Sequence, residues 1–486
     1  MKLKELLDGV PLLDGPADGE TEISGVSYDS RQTRPGDLFV AMQGYATDGH
    51  RYIPAALERG ASAILCQTPP EGEGVPWLRT ADSRLALALV SRTWFGDPAR
   101  SMRVIGVTGT NGKTTSTLLI KHILEETLGA KVGLIGTNGS LIGDRELPGE
   151  RTTPESYELQ KLFRDMADAG CTHVVMEVSS HALVQHRVAG VRFAVGAFTN
   201  LTQDHLDYHH TMEAYAAAKA LLFRQSDLAV LNLDDAWAAY FRAEAACPVY
   251  GYAVERSDAA LRALDLRLLP DRVEFTAEAE DGTRCPVRLG IPGRFSVYNA
   301  LTALSCCQAL GVSLDRGAAA LATAKGVKGR VETVPTDGDY TILIDYAHTP
   351  DALENVLRAV RETAPGRVVA LFGCGGDRDR GKRPIMGRIG TELADYAIIT
   401  SDNPRTEAPE AIIREILAGI PAEACNWTAI TDRTAAIAWA IEQHQPGDVI
   451  VLAGKGHETY QEIDHVKHHM DEREIVAEIL ERRKQQ

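Results

Sequence analysis

One stretch limits the possible folds of this chain more than any other: Gly109-Thr110-Asn111-Gly112-Lys113-Thr114-Thr115. It is entered from the strand-like run Arg103 to Thr108 and left through a helical pattern with Leu119, Ile120, Ile123 and Leu124 on one face. A glycine-rich turn in that setting lets backbone N–H groups close around phosphate oxygens, and the helix adds its positive end. Lys113 supplies a point charge for the β- and γ-phosphates, and Thr114 offers a hydroxyl to Mg²⁺. Five residues rather than four separate Gly106 from Gly112, so the flanking strand and helix carry part of the assignment. The loop alone says nucleotide binding, which GTPases, kinases, transporters and ligases share; a plain glycine-rich turn is the competing reading. A dinucleotide fold is disfavoured, because Arg378 stands where a G-x-G-x-x-G motif begun at Gly373 needs its last glycine.

At 486 residues the chain exceeds a single hydrophobic core. Three α/β domains are expected. Residues 1–98 mix short apolar runs (Leu38 to Met42, Ala63 to Cys66) with the turn-rich stretch Thr68 to Pro76, and read as a smaller α/β domain. Residues 99–331 hold the phosphate loop and further apolar runs, Val174 to Met176 and Ala229 to Leu231, as a central parallel sheet. Residues 332–486 alternate helical patterns with the runs Ile342 to Ile344, Val368 to Phe372, Ala397 to Thr400 and Val449 to Leu452, the pattern of a Rossmann-like doubly wound sheet. Each of these four runs is followed by a polar cluster: Asp345-Tyr346-Ala347-His348, Gly373-Cys374-Gly375-Gly376-Asp377, Asp402-Asn403-Pro404-Arg405 and Gly454-Lys455-Gly456-His457-Glu458. Ligands of open α/β sheets sit beyond the carboxyl ends of the strands, so the clusters are expected to line one crevice.

A formal net charge of -16 argues against broad contact with nucleic acid. The eight cysteines follow no metal-ligand or disulfide spacing, which suits a reducing compartment. Met1 to Val10 lacks the apolar run of a signal peptide, and nowhere do about 18 uninterrupted apolar residues occur. A cytoplasmic protein with no membrane span is expected.

Taken together, the glycine loop, Thr152-Thr153-Pro154, Glu177-Val178-Ser179-Ser180-His181, Asn200 through His205, Lys219, Asn299, Gly329-Arg330-Val331-Glu332 and Asp345-Tyr346-Ala347-His348 resemble the Mur ligase family over nearly the whole length. Its members couple ATP cleavage to joining a carboxylate and an amine. Within the family, the clusters at Asp402 and Gly454 look like those of the member that adds meso-diaminopimelate to UDP-MurNAc-L-Ala-D-Glu. The resemblance implies phosphorylation of the D-Glu γ-carboxylate to an acyl phosphate, then attack by the incoming amine, with ATP and Mg²⁺ as cofactors, small-molecule substrates and a monomeric enzyme.

It also implies roles for single residues. Gly109, Thr110, Asn111, Gly112, Lys113, Thr114, Thr115, Asn299, Arg330 and Asp345 are expected at ATP. Thr114 and Glu177 are expected on Mg²⁺, although Glu177 also reads as a buried structural acid or helix cap. Lys113, Lys219 and His205 are the expected catalytic groups. Lys219, in an alanine-rich helix, has a solvated face as its default reading, yet the matching lysine of relatives is carbamylated and then ligates metal; an apolar setting that lowers an amine pKa permits this. His205 matches a residue near the second metal of relatives, and its spacing to His209 lacks the His-Glu-x-x-His pattern of zinc sites.

Ser30, within Asp29-Ser30-Arg31, and Tyr45 look like the uridine end of the substrate site, with a turn or cap as the alternative at Ser30. Thr152, Thr153, Ser179, Gln185 and Arg187 match residues that hold the muramoyl-dipeptide. Arg151 stands where relatives often carry a smaller amide residue. For diaminopimelate, Arg405 is expected against the distal carboxylate as a bidentate pair, completed by Arg383, Asp402, Asn403, Pro404, Gly454 and Glu458, the last facing the ammonium. Lysine-adding relatives lack that arginine. A catalytically silent nucleotide-binding scaffold predicts damage to Lys113, Glu177 or Lys219, and all three are intact.

Overall fold

The computed structural model describes residues 1–44, 47–72, 75–149, 151–324, 326, 328–336 and 338–484. The chain packs as two compact units, Met1–Ala260 with Thr302–Ser313, and Leu261–Leu301 with Leu314–Gln486.

The first unit opens with β1 (Leu12–Asp14), β2 (Gly25–Ser27), β3 (Asp37–Val40), β4 (Ala63–Cys66) and β5 (Trp77–Thr80), in the order β1-β5-β4-β3-β2. All pairs are parallel except β1 with β5. Every residue of β3 and β4 is buried, which is why both read as unbroken apolar runs instead of alternating ones. The helix Ser83–Trp94 starts where the Asp82 carboxylate accepts from the Arg84 and Leu85 amides, and lays Ala86, Leu87 and Val90 onto this sheet's core.

The same unit holds β6 (Arg103–Thr108), β7 (Val132–Gly136), β8 (Gly139–Ile142), β9 (Arg145–Leu147), β10 (His173–Glu177), β11 (Val195–Phe198), β12 (Ala229–Asn232) and β13 (Val249–Ala253). Their order is β13-β12-β11-β6-β10-β7-β8-β9, parallel from β13 to β7 and antiparallel beyond. Because β6 lies between β10 and β11, with Glu177 opposite Val107 and Phe198 opposite Thr108, the loops leaving these three strands emerge side by side. That juxtaposition builds the site. The helix Lys113–Leu128 then returns along the sheet with Leu119, Ile120, Ile123 and Leu124 buried, as its periodicity requires.

In the second unit β14 (Leu261–Leu268), β15 (Val273–Ala279) and β16 (Arg284–Leu289) form an antiparallel meander. A doubly wound sheet follows: β17 (Glu332–Val334), β18 (Thr341–Asp345), β19 (Val368–Phe372), β20 (Tyr396–Ile399), β21 (Trp427–Ala429) and β22 (Val449–Ala453), ordered β17-β18-β22-β19-β20-β21, with only β17 antiparallel. One face packs on Leu353, Leu357, Met386 and Ile416, the other on Ile437, Ile441, Val476 and Leu480. The four apolar runs expected here are β18, β19, β20 and β22, with the β20 run shifted by one residue. A hairpin, β23 (Tyr460–Ile463) with β24 (Val466–His469), was not foreseen. Among the described residues no helix is long and apolar enough to cross a membrane.

Candidate active site

The phosphate loop is held by the strand beside it. Thr110 N donates to Asn200 O at 2.8 Å and Asn111 N to Asn200 Oδ1 at 2.9 Å, while Thr199 Oγ1 donates to Asn111 O at 2.7 Å. Gly109 has φ 150°, and a Cβ there would lie 1.9 Å from Thr199 Oγ1, so only glycine lets the loop run this close to its neighbour. Gly112, at φ 83°, turns the chain into the sixteen-residue helix whose first residue is Lys113. Lys113 Nζ folds over the loop, donating to Gly109 O at 3.0 Å and Thr110 O at 2.9 Å.

At the next residue of that helix, Thr114 Oγ1 donates to Glu177 Oε1 at 2.9 Å. Glu177 is buried at the end of β10, and both its oxygens are aligned by Thr137: N donates to Oε1 at 2.9 Å, Oγ1 to Oε2 at 3.1 Å. Thr137 Oγ1 also lies 3.1 Å from Thr152 Oγ1, and Thr153 Oγ1 donates to Glu177 O at 2.9 Å and sits 3.4 Å from Ser179 Oγ. The hydroxyls expected at the muramoyl-dipeptide therefore adjoin the acid expected at the metal. Arg187 Nη2 reaches Gln185 Oε1 at 2.6 Å, extending this polar wall.

Lys219 is 1 % exposed on the helix Met212–Ala220. Nζ donates to Gly109 O at 2.9 Å and stands 4.4 Å from the Tyr215 ring centroid. Burial, with Lys113 nearby, holds its ammonium well below the usual lysine range, a shift toward the neutral amine. The solvated-face reading of Lys219 is excluded by this burial. His205 has φ 53° and stands near the same tyrosine, at 6.0 Å between ring centroids, and 4.9 Å from His181. Among the described residues no group of three His, Cys, Asp or Glu could hold a metal. The donor set here is mixed instead: one carboxylate, one hydroxyl and a buried lysine, beside a phosphate loop. Those residues fit a nucleotide accompanied by Mg²⁺. Ser30 is buried beyond β2, and Tyr45 lies outside the described residues.

The second unit carries the remaining groups. Asn299 is buried on the helix Arg294–Ala309. Asp345 accepts from Val331 N and Ala347 N, both at 2.8 Å; burial raises its carboxyl pKa, against the pull of Arg330. Arg330 lies over the Tyr346 ring at 5.3 Å.

Arg405, at φ 52°, donates Nη1 to Gly376 O at 2.8 Å and Nε to Glu462 Oε2 at 3.1 Å; among the described residues Nη2 has no partner. The unforeseen hairpin sets this posture, since Arg405 N donates to Glu462 O and Asp464 N to Arg405 O. Asn403 Nδ2 donates to Glu458 Oε2 at 2.9 Å, and the buried Lys455 ammonium joins Asn403 Oδ1 at 2.8 Å and Glu458 Oε2 at 2.9 Å. Asp402 Oδ2 is buried without a partner among the described residues, and Gly454 passes close enough that a Cβ would lie 2.6 Å from it. Pro404 closes on Gly376, whose Cβ would meet Pro404 O.

Arg433 joins the two strand ends that bear these clusters. Fully buried, it donates to Ser401 O at 3.3 Å, Ala453 O at 2.8 Å and the buried Glu472 carboxylate at 2.8 Å. Arg433→Ala leaves Glu472 as an unpaired buried charge, and is expected to lower stability by about 3–5 kcal/mol. Urea unfolding monitored by circular dichroism checks this; an unchanged midpoint contradicts it.

Three family models match the chain: "Mur ligase family, catalytic domain" over residues 22–93, "Mur ligase middle domain" over 107–307, and "Mur ligase, glutamate ligase domain" over 329–456. A UDP-N-acetylmuramoyl-L-alanyl-D-glutamate--2,6-diaminopimelate ligase of Clostridium tetani is 46% identical over 490 residues, covering 99% of each chain. The chain belongs to the Mur ligase family. A ligase of the same name from Geobacter metallireducens is 44% identical over 98% of each chain. A solved structure bearing that name superposes with a TM-score of 0.78 at 34% identity, covering 100% of this chain and 99% of its own.

In this Mur ligase Arg383 is held by carboxylates of its own chain. Arg383 is wholly buried, with Nη2 at 2.8 Å from Glu407 and Nη1 at 2.8 Å from Glu415, so its guanidinium is engaged inside the protein. Its helix, Lys382–Leu393, buries Met386, Gly387 and Gly390 at three, four and seven residues beyond it, and that spacing was the available signal. The preceding loop carries two exposed arginines: Arg380, which pairs with Glu407 at 2.8 Å, and Arg378, whose Cγ would lie 3.8 Å from a Cβ at Gly375, with Arg405 Nη1 at 2.9 Å from the same point. Thr137 and Lys455 were also missed, because what they do is visible only in three dimensions.

Proposed function

We propose that this Mur ligase adds meso-diaminopimelate to UDP-MurNAc-L-Ala-D-Glu, forming ADP and phosphate through an acyl phosphate on the D-Glu γ-carboxylate. The observation that carries the reading is the meeting, in the first unit, of the phosphate loop, the Thr114–Glu177 contact and the buried Lys219, in a chain so similar to ligases named for that reaction.

The loop amides and the positive end of the following helix hold the ATP phosphates, with Lys113 neutralising the transferring group. Mg²⁺ would be held by Thr114, Glu177 and a carbamate formed on Lys219, and would supply further charge neutralisation. The carbamate forms when the neutral amine adds to CO₂ and releases a proton, which turns a buried cation into an anion. His205, near Tyr215 and His181, would border that site. Thr152, Thr153, Ser179, Gln185 and Arg187 orient the muramoyl-dipeptide so that its γ-carboxylate oxygen attacks the γ-phosphorus, while Ser30 and Tyr45 take the uridine.

In the second unit Arg405 meets the distal carboxylate of diaminopimelate, Arg383, held by Glu407 and Glu415, completes the site, and Asp402, Asn403, Gly454 and Glu458 take its ammonium. Pro404 fixes that loop, and Asn299, Arg330 and Asp345 serve the nucleotide. Labour is divided among residues 1–98, 99–331 and 332–486, and the enzyme works in the cytoplasm as a monomer without nucleic acid.

The test is oxygen transfer. With ¹⁸O in the D-Glu γ-carboxylate, turnover is expected to deliver one labelled oxygen into the released phosphate. Unlabelled phosphate alongside amide product would exclude the acyl phosphate.

A further inference from the structure

In the second unit, the turn Gly329-Arg330-Val331-Glu332 takes a backbone shape that its sequence disfavours. Val331 has φ 44°, a left-handed conformation in which a β-branched residue is an outlier, and its side chain is buried in the core of that unit. Strain of this kind persists only where the surroundings hold it from several sides. Val331 N donates to Asp345 Oδ2 at 2.8 Å, and Gly329 N donates to Glu332 Oε2 at 2.6 Å. Glu332 is held in its turn by Arg473, which donates Nε to Oε1 at 2.8 Å and Nη2 to Oε2 at 2.5 Å. That is the two-point pairing in which a guanidinium orients a carboxylate most firmly.

The same guanidinium reaches a second segment. Arg473 Nη2 also donates to Gly456 O at 3.0 Å, while Nη1 lies 2.9 Å from Asp471 Oδ1, which accepts from Arg473 N at 3.0 Å. Gly456 belongs to the loop 454–458, and that loop touches the turn backbone to backbone. A Cβ at Gly329 would lie 2.1 Å from His457 N, and one at Gly456 would lie 2.9 Å from Gly329 O; both glycines have positive φ, 74° and 52°. Side chains bridge the same junction, since Arg330 stands 5.3 Å from the Tyr346 ring centroid and that ring 4.9 Å from the ring of His457. With no room for a Cβ on either side, turn and loop move as one piece. The turn carries Arg330, proposed at the nucleotide; the loop carries Gly454 and Glu458, proposed at diaminopimelate.

We infer that Arg473 is a positioning residue that clasps the turn bearing Arg330 to the loop bearing Glu458, and thereby couples binding of the nucleotide to binding of the incoming amine. Arg473 touches neither ligand in this role; it fixes the spacing between two groups that do. A rigid link between two sites lets each ligand stabilise the arrangement that the other needs, which is a coupling free energy between them. The inference rests on the function proposed above, and adds to it a link between two of the three substrates.

Initial-rate kinetics of the full chain test it, with ADP release followed for wild type, Arg473→Gln, Glu332→Gln, the double variant and Arg473→Lys, and each substrate varied in turn. Each single glutamine variant is expected to raise KM for ATP and for meso-diaminopimelate together, by about two- to thirtyfold, the range for residues that carry coupling without touching a ligand. KM for UDP-MurNAc-L-Ala-D-Glu, a substrate assigned to the first unit, should stay unchanged. The double variant should lose no more than the worse single variant, because the two residues form one clasp. Arg473→Lys should retain part of the effect. KM is read from folded molecules alone, so a smaller active fraction lowers the rate and leaves KM in place; should Arg473→Gln not fold, Glu332→Gln and Arg473→Lys carry the test. Unchanged KM values would overturn the inference, as would a rise confined to ATP or to diaminopimelate, an equal rise for all three substrates, or losses that multiply in the double variant. A wild type that forms no amide product removes the proposed reaction and this inference with it, so turnover by the wild type tells the two failures apart.

Discussion

Lys219→Ala is expected to lower kcat by about 10²–10³-fold, the usual cost of removing one preorganised charge-stabilising group. The side chain is buried against Gly109 O and the Tyr215 ring, where it cannot act through solvent. As an ammonium it would add a second cation beside Lys113; as a carbamate it adds an anion able to hold metal. Wild-type activity is therefore expected to fall when dissolved CO₂ is stripped from the assay and to recover with bicarbonate, whereas the alanine variant responds to neither. Equal activity of variant and wild type, measured as ADP release, would contradict the role.

The same lysine sets a pH dependence of stability. Its amine is held below the ordinary value of 10.5 in the folded chain, so the unfolded chain binds more protons. Stability from this group consequently rises with pH toward that unfolded value and is lost as pH falls toward the folded one. Lys219→Met should flatten this part of the profile in thermal unfolding, while abolishing the CO₂ response.

Arg405→Ala is expected to reduce kcat/KM for meso-diaminopimelate by about 30-fold to several thousandfold, the range of about 2–5 kcal/mol for truncating one partner of a buried charge pair. Its rate with L-lysine should change far less, because lysine has no distal carboxylate to lose. Arg405→Lys should not restore the rate, since one ammonium cannot reproduce a two-point contact while Nε and Nη1 also hold Glu462 and Gly376. Equal losses for both amino acids would show that Arg405 shapes the loop instead of reading the carboxylate.

What the sequence announced, and what it withheld, divides along physical lines. The β6-loop-helix unit was legible because its chemistry and its periodicity are both local. The strands β18, β19, β20 and β22 were legible because burial on both faces leaves unbroken apolar runs bounded by polar clusters. The β23–β24 hairpin was not, because it is short and β24 is wholly exposed, with His468 and His469 where a core strand would carry apolar residues. Yet it fixes Arg405. Arg84 and Arg187 lie farther along the chain from Glu155, and only packing brings them to it. Arg383 and Arg378 are five residues apart in one basic segment; the helical spacing that turns Arg383 inward was present in the sequence, but the carboxylates that hold it, Glu407 and Glu415, were not adjacent to it there.

The most direct measurement is product mass. The purified protein is incubated with ATP, Mg²⁺ and UDP-MurNAc-L-Ala-D-Glu, together with meso-diaminopimelate or L-lysine in separate reactions. The account predicts ADP, phosphate and the mass of the diaminopimelate-extended nucleotide in the first reaction, and little product in the second. A lysine product of comparable yield would contradict the pocket assigned to Arg405, and no product from either amine would contradict the ligase function itself.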